Sequence, residues 1–329
     1  MCQYWTSRMF TKEVVGTANA MAGGWGNLGG GVTQLVMGSV LFPLFKLFYG
    51  GNSDEAWRTV CVVPAVVTFA TGLLLFHFSD DCPKGNYDQL KMHGSMPPVS
   101  AAASFRSGSM NVNSWLLFFQ YGCCFGVELT MDSAAALYFS EKFGQSTASA
   151  AAIASIFGWM NIFARVLGGY LSDKLNTKLG MRGRLLLQTV LIALEGVFAL
   201  IFGKTNSLGV AIVIMVIFAL FTEMACGSTY GIVPYVDPPN TGSISGIVGA
   251  GGNMGAIGFG LAFRQLPYES AFTVMGATIM GVSALSFLIK IKGHSALLWG
   301  TTDLPTVDKL GGTIVIPERD PTTKEEVDA

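Results

Sequence analysis

Eight stretches of this 329-residue sequence are apolar over the length a helix needs to cross a bilayer, about 20 residues. They run at roughly 14–49, 57–78, 113–140, 147–173, 184–203, 208–231, 243–263 and 268–291, the first being long enough to be broken or to overhang. Hydrophobic residues make up 51% of the chain and charged residues only 12%, against about 25% charged in an ordinary soluble domain. The expected fold class is therefore an all-α polytopic membrane protein. "MCQYWTS" at the start reads as the tail of an earlier span, and Met1 shows no signal-peptide features. A net charge of -1 gives no basic footprint for nucleic acid. The six cysteines are irregularly spaced and the three histidines scattered, so no disulfide framework, metal site or cofactor is indicated. No Ser/His/Asp arrangement suggests an enzyme.

Lys and Arg in the connections set the orientation. One side collects Arg8, Lys12, Lys84, Lys91, Arg106, Lys174, Lys178, Arg182, Arg184, Lys290 and Lys292; the other collects Lys46, Arg58, Lys142, Lys204 and Arg264. The first side is expected to be cytoplasmic. The polar residues 79–112, with Pro97 and Pro98, read as a cytoplasmic linker between 1–78 and the six spans of 113–292, and residues 293–329 as a solvated cytoplasmic tail.

"AGGWGNLGGG" (22–31) contains a formal G-x-G-x-x-G at Gly24, Gly26 and Gly29, but no strand precedes it and no acid stands about 20 residues on. A dinucleotide site is not expected. The same pattern returns in "GAGGNMGAIGFG" (249–260), where an offset of 226 pairs Asn27 with Asn253, Gly23 with Gly249, Gly26 with Gly252 and Gly29 with Gly255. Parallel repeats, one in each six-helix half, mark transporters whose halves rock about a central site. With the second half complete at six spans, the chain reads as the C-terminal two-thirds of a twelve-span protein. On a helix Gly23, Asn27 and Gly30 share a face, as do Gly249, Asn253, Ala256 and Gly260. Small residues there let a helix or a small ligand approach the backbone.

Arg165 lies eight residues before Asp173, roughly 12 Å inside a hydrocarbon core about 30 Å thick. At that depth it should face the bundle interior or a cavity, or pair with a span carboxylate such as Glu128, Glu195 or Glu223. A guanidinium is flat, forked and permanently charged, matching a small planar oxyanion. Tyr121, Phe125 and Glu128 follow at i, i+4, i+7 on one face. Glu128 and Asp132, four residues apart in an apolar span, and Glu223 are candidate proton relays, or else structural partners of a cation.

The two glycine stretches resemble the paired signatures of the nitrate/nitrite porter family of the major facilitator superfamily. "FARVLGGYLSDKL" followed by "GMRGR" resembles that superfamily's G-x-x-x-D loop motif, with Gly169 and Asp173 in place. The resemblance implies helices five to twelve of a twelve-helix fold. It places Arg165 at the helix-eight arginine that contacts the anion, Tyr121 and Phe125 at the helix-seven contact positions, and Asn27, Asn253, Gly23 and Gly249 on the signature helices lining the site. The long central loop and "GVELT" are similar to the eukaryotic branch. That branch implies proton-coupled import of nitrate, and of nitrite, across the plasma membrane, in some members with a small accessory membrane protein. A second substrate arginine, on helix two, is expected by the family and lies outside this sequence, so these 329 residues alone are not expected to transport. A transport-incompetent nitrate sensor and a nitrate/nitrite exchanger are the alternatives.

Overall fold

The computed structural model describes residues 2–81, 86, 87, 92 and 100–300. After α1 (Cys2–Met9), the first long pass, Val15–Phe48, comprises α2 (Val15–Thr33), a π-helical stretch (Gln34–Leu41) and α3 (Phe42–Phe48). Next come α4 (Ser53–Val60), α5 (Val62–Phe78) and α6 (Ala101–Met110). The six later passes begin with α7 (Val112–Phe143), followed by α8 (Thr147–Trp159) continued by α9 (Ala164–Leu179), then α10 (Met181–Gly203) and α11 (Leu208–Val236). α12 (Thr241–Gln265) and α13 (Tyr268–Ser283) complete them.

Each expected apolar stretch is a helical pass, and the differences have local causes. The first is not broken; a π-helical segment carries it through its middle. The second starts at Ser53, because the side chain of Asn52 accepts hydrogen bonds from the backbone N–H groups of Asp54 and Glu55 and caps the helix. α7 runs on to Phe143 and stops where Gly144 turns left-handed at φ 63°. Seven passes combine spanning length with an apolar window, and α7 falls outside that set, its 32 residues interrupted by Gln120, Glu128 and Asp132. Gly24, Gly26 and Gly29 all lie within α2, a helix where a dinucleotide motif needs a strand and turn.

Two expectations change at the end of the bundle that carries Arg182 and Arg184. Arg184, counted among loop charges, is buried inside α10. Part of the expected tail is packed rather than solvated: Ser295 and Ala296 are buried, and Arg182 donates from Nε to the Ala296 carbonyl (3.3 Å) and from Nη2 to that of Gly300 (2.7 Å). Residues 301–329 lie outside the described residues, as do 82–85, 88–91 and 93–99 of the central linker, among them Lys84, Lys91, Pro97 and Pro98.

Glycine sets the closest helix approaches. The most extensive contact is between α7 and α12, where Gly122 and Gly126 face Gly251 and Gly255. A Cβ on Gly126 would stand 2.8 Å from Gly255 Cα, closer than real side chains come. Gly126→Ala is therefore expected to destabilise the bundle by about 1–3 kcal/mol. Thermal unfolding of the purified variant checks this, and an unchanged midpoint would mean the seam is slack. α2 makes most of the contacts between the first part of the chain and the later helices, packing on α8, α9 and α11, while the π-helical stretch also packs on α8 and α1 touches α12. By contrast no residue of α5 is buried.

Candidate functional site

Between α8 and α9 the helix tightens into a 3-10 turn at Met160–Ile162, and Phe163, with φ -120°, re-aims the chain. Arg165 is thus the second residue of α9, at the helix end whose dipole disfavours a cation. Carboxylates from two other helices compensate. Glu128 of α7 accepts from Arg165 Nη2 at 2.5 Å, and Glu223 of α11 lies 3.3 Å from Arg165 Nε. All three side chains are 2% exposed or less. Asn161, one turn before Arg165, donates to the other Glu128 oxygen at 2.9 Å, and Cys226 Sγ lies 3.9 Å from Glu128 Oε2. Of the three carboxylates considered as partners for Arg165, Glu195 makes no ion pair with it.

The free edge of the guanidinium faces a cavity of about 540 Å³. Arg165 Nη1 is the group nearest to Gly23 after the Gln3 side chain, 3.6 Å from where a Cβ would stand. The Phe125 ring lies 5.7 Å from the guanidinium carbon, stacked on Tyr121 at 5.1 Å between centroids. Tyr121, Phe125, Arg165, Asn27, Asn253, Gly23 and Gly249 all line this one cavity. The repeat had singled out Asn27, Asn253, Gly23 and Gly249, helical spacing Tyr121 and Phe125, and membrane depth Arg165. The other repeat positions diverge: Gly30 faces the Asp132 carboxylate, Ala256 packs against Gly126, and nothing lies near Gly260.

Tyr230 of α11 was not anticipated. It lines the cavity, meets Tyr121 edge to face at 5.1 Å, and donates its hydroxyl to the Ser245 carbonyl at 3.3 Å. A bulky polar aromatic among the small residues of "CGSTYG" was the available signal. Glu128, Glu223 and Cys226 also bring ligand-type atoms within 4.8 Å of one another. The guanidinium bonded to both carboxylates makes this an ion-paired cluster, because a cation placed there would meet a permanent positive charge.

The loop motif builds a second cluster at the start of α2. α2 has no side-chain cap of its own. Asp173 of α9 supplies one from 157 residues away: Oδ1 accepts from Gly16 N (3.1 Å), and Oδ2 from Thr17 N and Oγ1 (2.6 Å each). Arg184 Nη2 pairs with Asp173 at 2.8 Å, and Arg184 also bonds Ser172 and Tyr235. The Tyr235 hydroxyl donates to the Lys12 carbonyl at 2.9 Å. At Gly169 a Cβ would collide with Gly16 and Ala20, so this glycine lets α9 and α2 meet at the pinned end.

Long helices packed by glycine seams around a polar cavity define a membrane carrier rather than a soluble domain. The chain belongs to the Major Facilitator Superfamily, whose family model matches residues 1–261, and within it to the nitrate/nitrite porter family. It is 42% identical over 317 residues to nitrate transporter 2.2 of Chlamydomonas reinhardtii, covering 91% of this chain and 59% of that protein. It is 38% identical over 290 residues to high affinity nitrate transporter 2.5 of Arabidopsis thaliana, covering 88% and 57%. With the nitrate/nitrite transporter NrtP of Nostoc punctiforme it shares 24% identity over 357 residues, 87% of this chain and 70% of that protein. The chain thus spans somewhat under six-tenths of the length of the first two.

Proposed function

We propose that the cavity binds nitrate, and nitrite as the smaller analogue, and that the whole protein imports these anions by alternating access coupled to protons. The observation that supports this most is the convergence of Arg165, Tyr121, Phe125, Asn27 and Asn253, from both parts of the chain, on one cavity. Arg165 attracts and orients the anion, Tyr121 and the two asparagines hydrogen-bond its oxygens, and Phe125 with Tyr121 narrows the chamber. The similarity to transporters named for nitrate supports the choice of anion. The Lys and Arg distribution supports a cytoplasmic C-terminus, and the family resemblance a plasma-membrane location and a small accessory partner.

Charge supports the proton. One guanidinium and two carboxylates carry a net charge of -1 when ionised, and a bound anion would take this to -2 in a low-dielectric interior. Taking up one proton with each anion restores the balance. Glu223 is the better carrier of the pair, because neither of its oxygens has a hydrogen-bond partner, whereas Glu128 is held by Asn161 and Arg165.

Labelled nitrate uptake across external pH, in cells without background uptake, tests the reading. The native protein should gain up to about tenfold per unit of acidification, the limit for one proton per anion. Glu223→Gln removes one negative charge permanently and should flatten that profile. A flat native profile would replace proton coupling with exchange, and absence of nitrate uptake even with an accessory partner would remove the transport reading.

A further inference from the structure

A third buried acid stands behind the Arg165 cluster. Glu195 of α10 is wholly buried, and neither carboxyl oxygen has a hydrogen-bond partner. It makes none of the ion pairs among the described residues. The titratable groups facing it are Cys123, Cys124 and Glu128 of α7 and Glu223 and Cys226 of α11, with the Thr222 hydroxyl beside it. α13 meets the next residue, Gly196, through Gly276 and Met280 and brings no titratable group. An unpartnered acid in such a place costs stability that an alanine or leucine would not.

Its neighbours on α10 give it a direction. Arg184, Gln188 and Glu195 lie at i, i+4 and i+11, all wholly buried, on the face that meets α11. Gln188 donates to Thr229 at 2.7 Å and accepts from Ser228. Buried polar side chains are therefore spaced along this face from the membrane interior to the Asp173–Arg184 cluster, separate from the anion cavity, whose lining includes none of these residues.

We propose that Glu195 is a second proton-binding site, which takes a proton from the Glu223 carboxyl with or without the anion bound and holds it on the side of the bundle away from the cavity. The step moves one proton from a carboxyl oxygen of Glu223 to one of Glu195, leaving Glu223 as carboxylate and Glu195 as acid. Anion and proton thereby occupy different compartments of the same bundle. This rests on the reading that the Arg165 cluster couples protons to the anion.

Dicyclohexylcarbodiimide, an apolar reagent that attacks protonated carboxyls, tests the site in the purified protein, with mass spectrometry as readout. Glu195 should form the adduct whether or not nitrate is saturating, and Glu195→Gln should lack it. No adduct at Glu195 while another intramembrane carboxyl is labelled would overturn the proposal, as would protection of Glu195 by nitrate. In uptake assays Glu195→Gln should lose the acid stimulation while its nitrate affinity changes by less than about twofold. A native pH response in that variant would also overturn it. If the protein binds no nitrate, the transport reading fails and the carbodiimide result still decides the role of Glu195.

Discussion

Arg165→Lys is expected to lower nitrate affinity by about 100-fold or more while leaving the protein folded. A lysine keeps the charge that Glu128 and Glu223 require, so neither carboxylate is stranded. It does not keep the plate. Arg165 spends Nη2 on Glu128 and directs Nε at Glu223 while Nη1 faces the cavity, and one ammonium cannot serve three directions. Losing two charge-assisted hydrogen bonds to the anion, at about 1.5–3 kcal/mol each, gives at least that factor. Arg165→Ala should behave differently, because two buried carboxylates without a cation cost about 3–5 kcal/mol and the fold itself is threatened. Nitrate titration of the purified variants, with thermal unfolding alongside, separates the two effects. A lysine variant binding within threefold of the native protein would reduce Arg165 to a structural counter-ion.

Asp173→Ala should also cost much stability, about 3 kcal/mol or more. It leaves the wholly buried Arg184 without its carboxylate and at once uncaps α2. Asp173→Asn should recover part of the loss, since an amide oxygen can still accept from the α2 backbone but cannot neutralise Arg184. Comparative thermal unfolding checks the order native, Asn, Ala. Equal stability of the asparagine variant and the native protein would show that the cap alone matters.

Much of the cavity's lining was legible because most of its determinants are periodic. Asn27 and Asn253 were found through the 226-residue repeat, Tyr121 and Phe125 through i, i+4 spacing, and Arg165 through the cost of a cation at that depth. The same spacing would have found Asn161, four residues before Arg165, had the 3-10 turn not obscured the register. What could not be read was pairing across the chain. Nothing local distinguishes Glu223, which reaches Arg165, from Glu195, which does not. Nothing near Asp173 announces that its partner is a helix start 157 residues earlier. The packed segment before residue 300 was missed because the polar residues after it set the reading of the whole tail and hid the buried Ala296.

The charge cluster also bears on how the chain enters the bilayer. α7 is the least apolar of the passes, and the residues that disfavour its insertion, Glu128 and Asp132, precede Arg165 by fewer than forty positions. An arginine or aspartate met singly at the centre of a span costs about 2.5–3.5 kcal/mol on insertion scales. Only Gly144, Gln145 and Ser146 separate α7 from the next pass. The two passes can therefore partition out of the translocation channel as one hairpin, with the Glu128–Arg165 pair formed before either charge meets lipid. A variant that broke the pair would then be lost during biogenesis, before its transport could be measured, and for this position the amount of protein reaching the membrane is as informative as its activity.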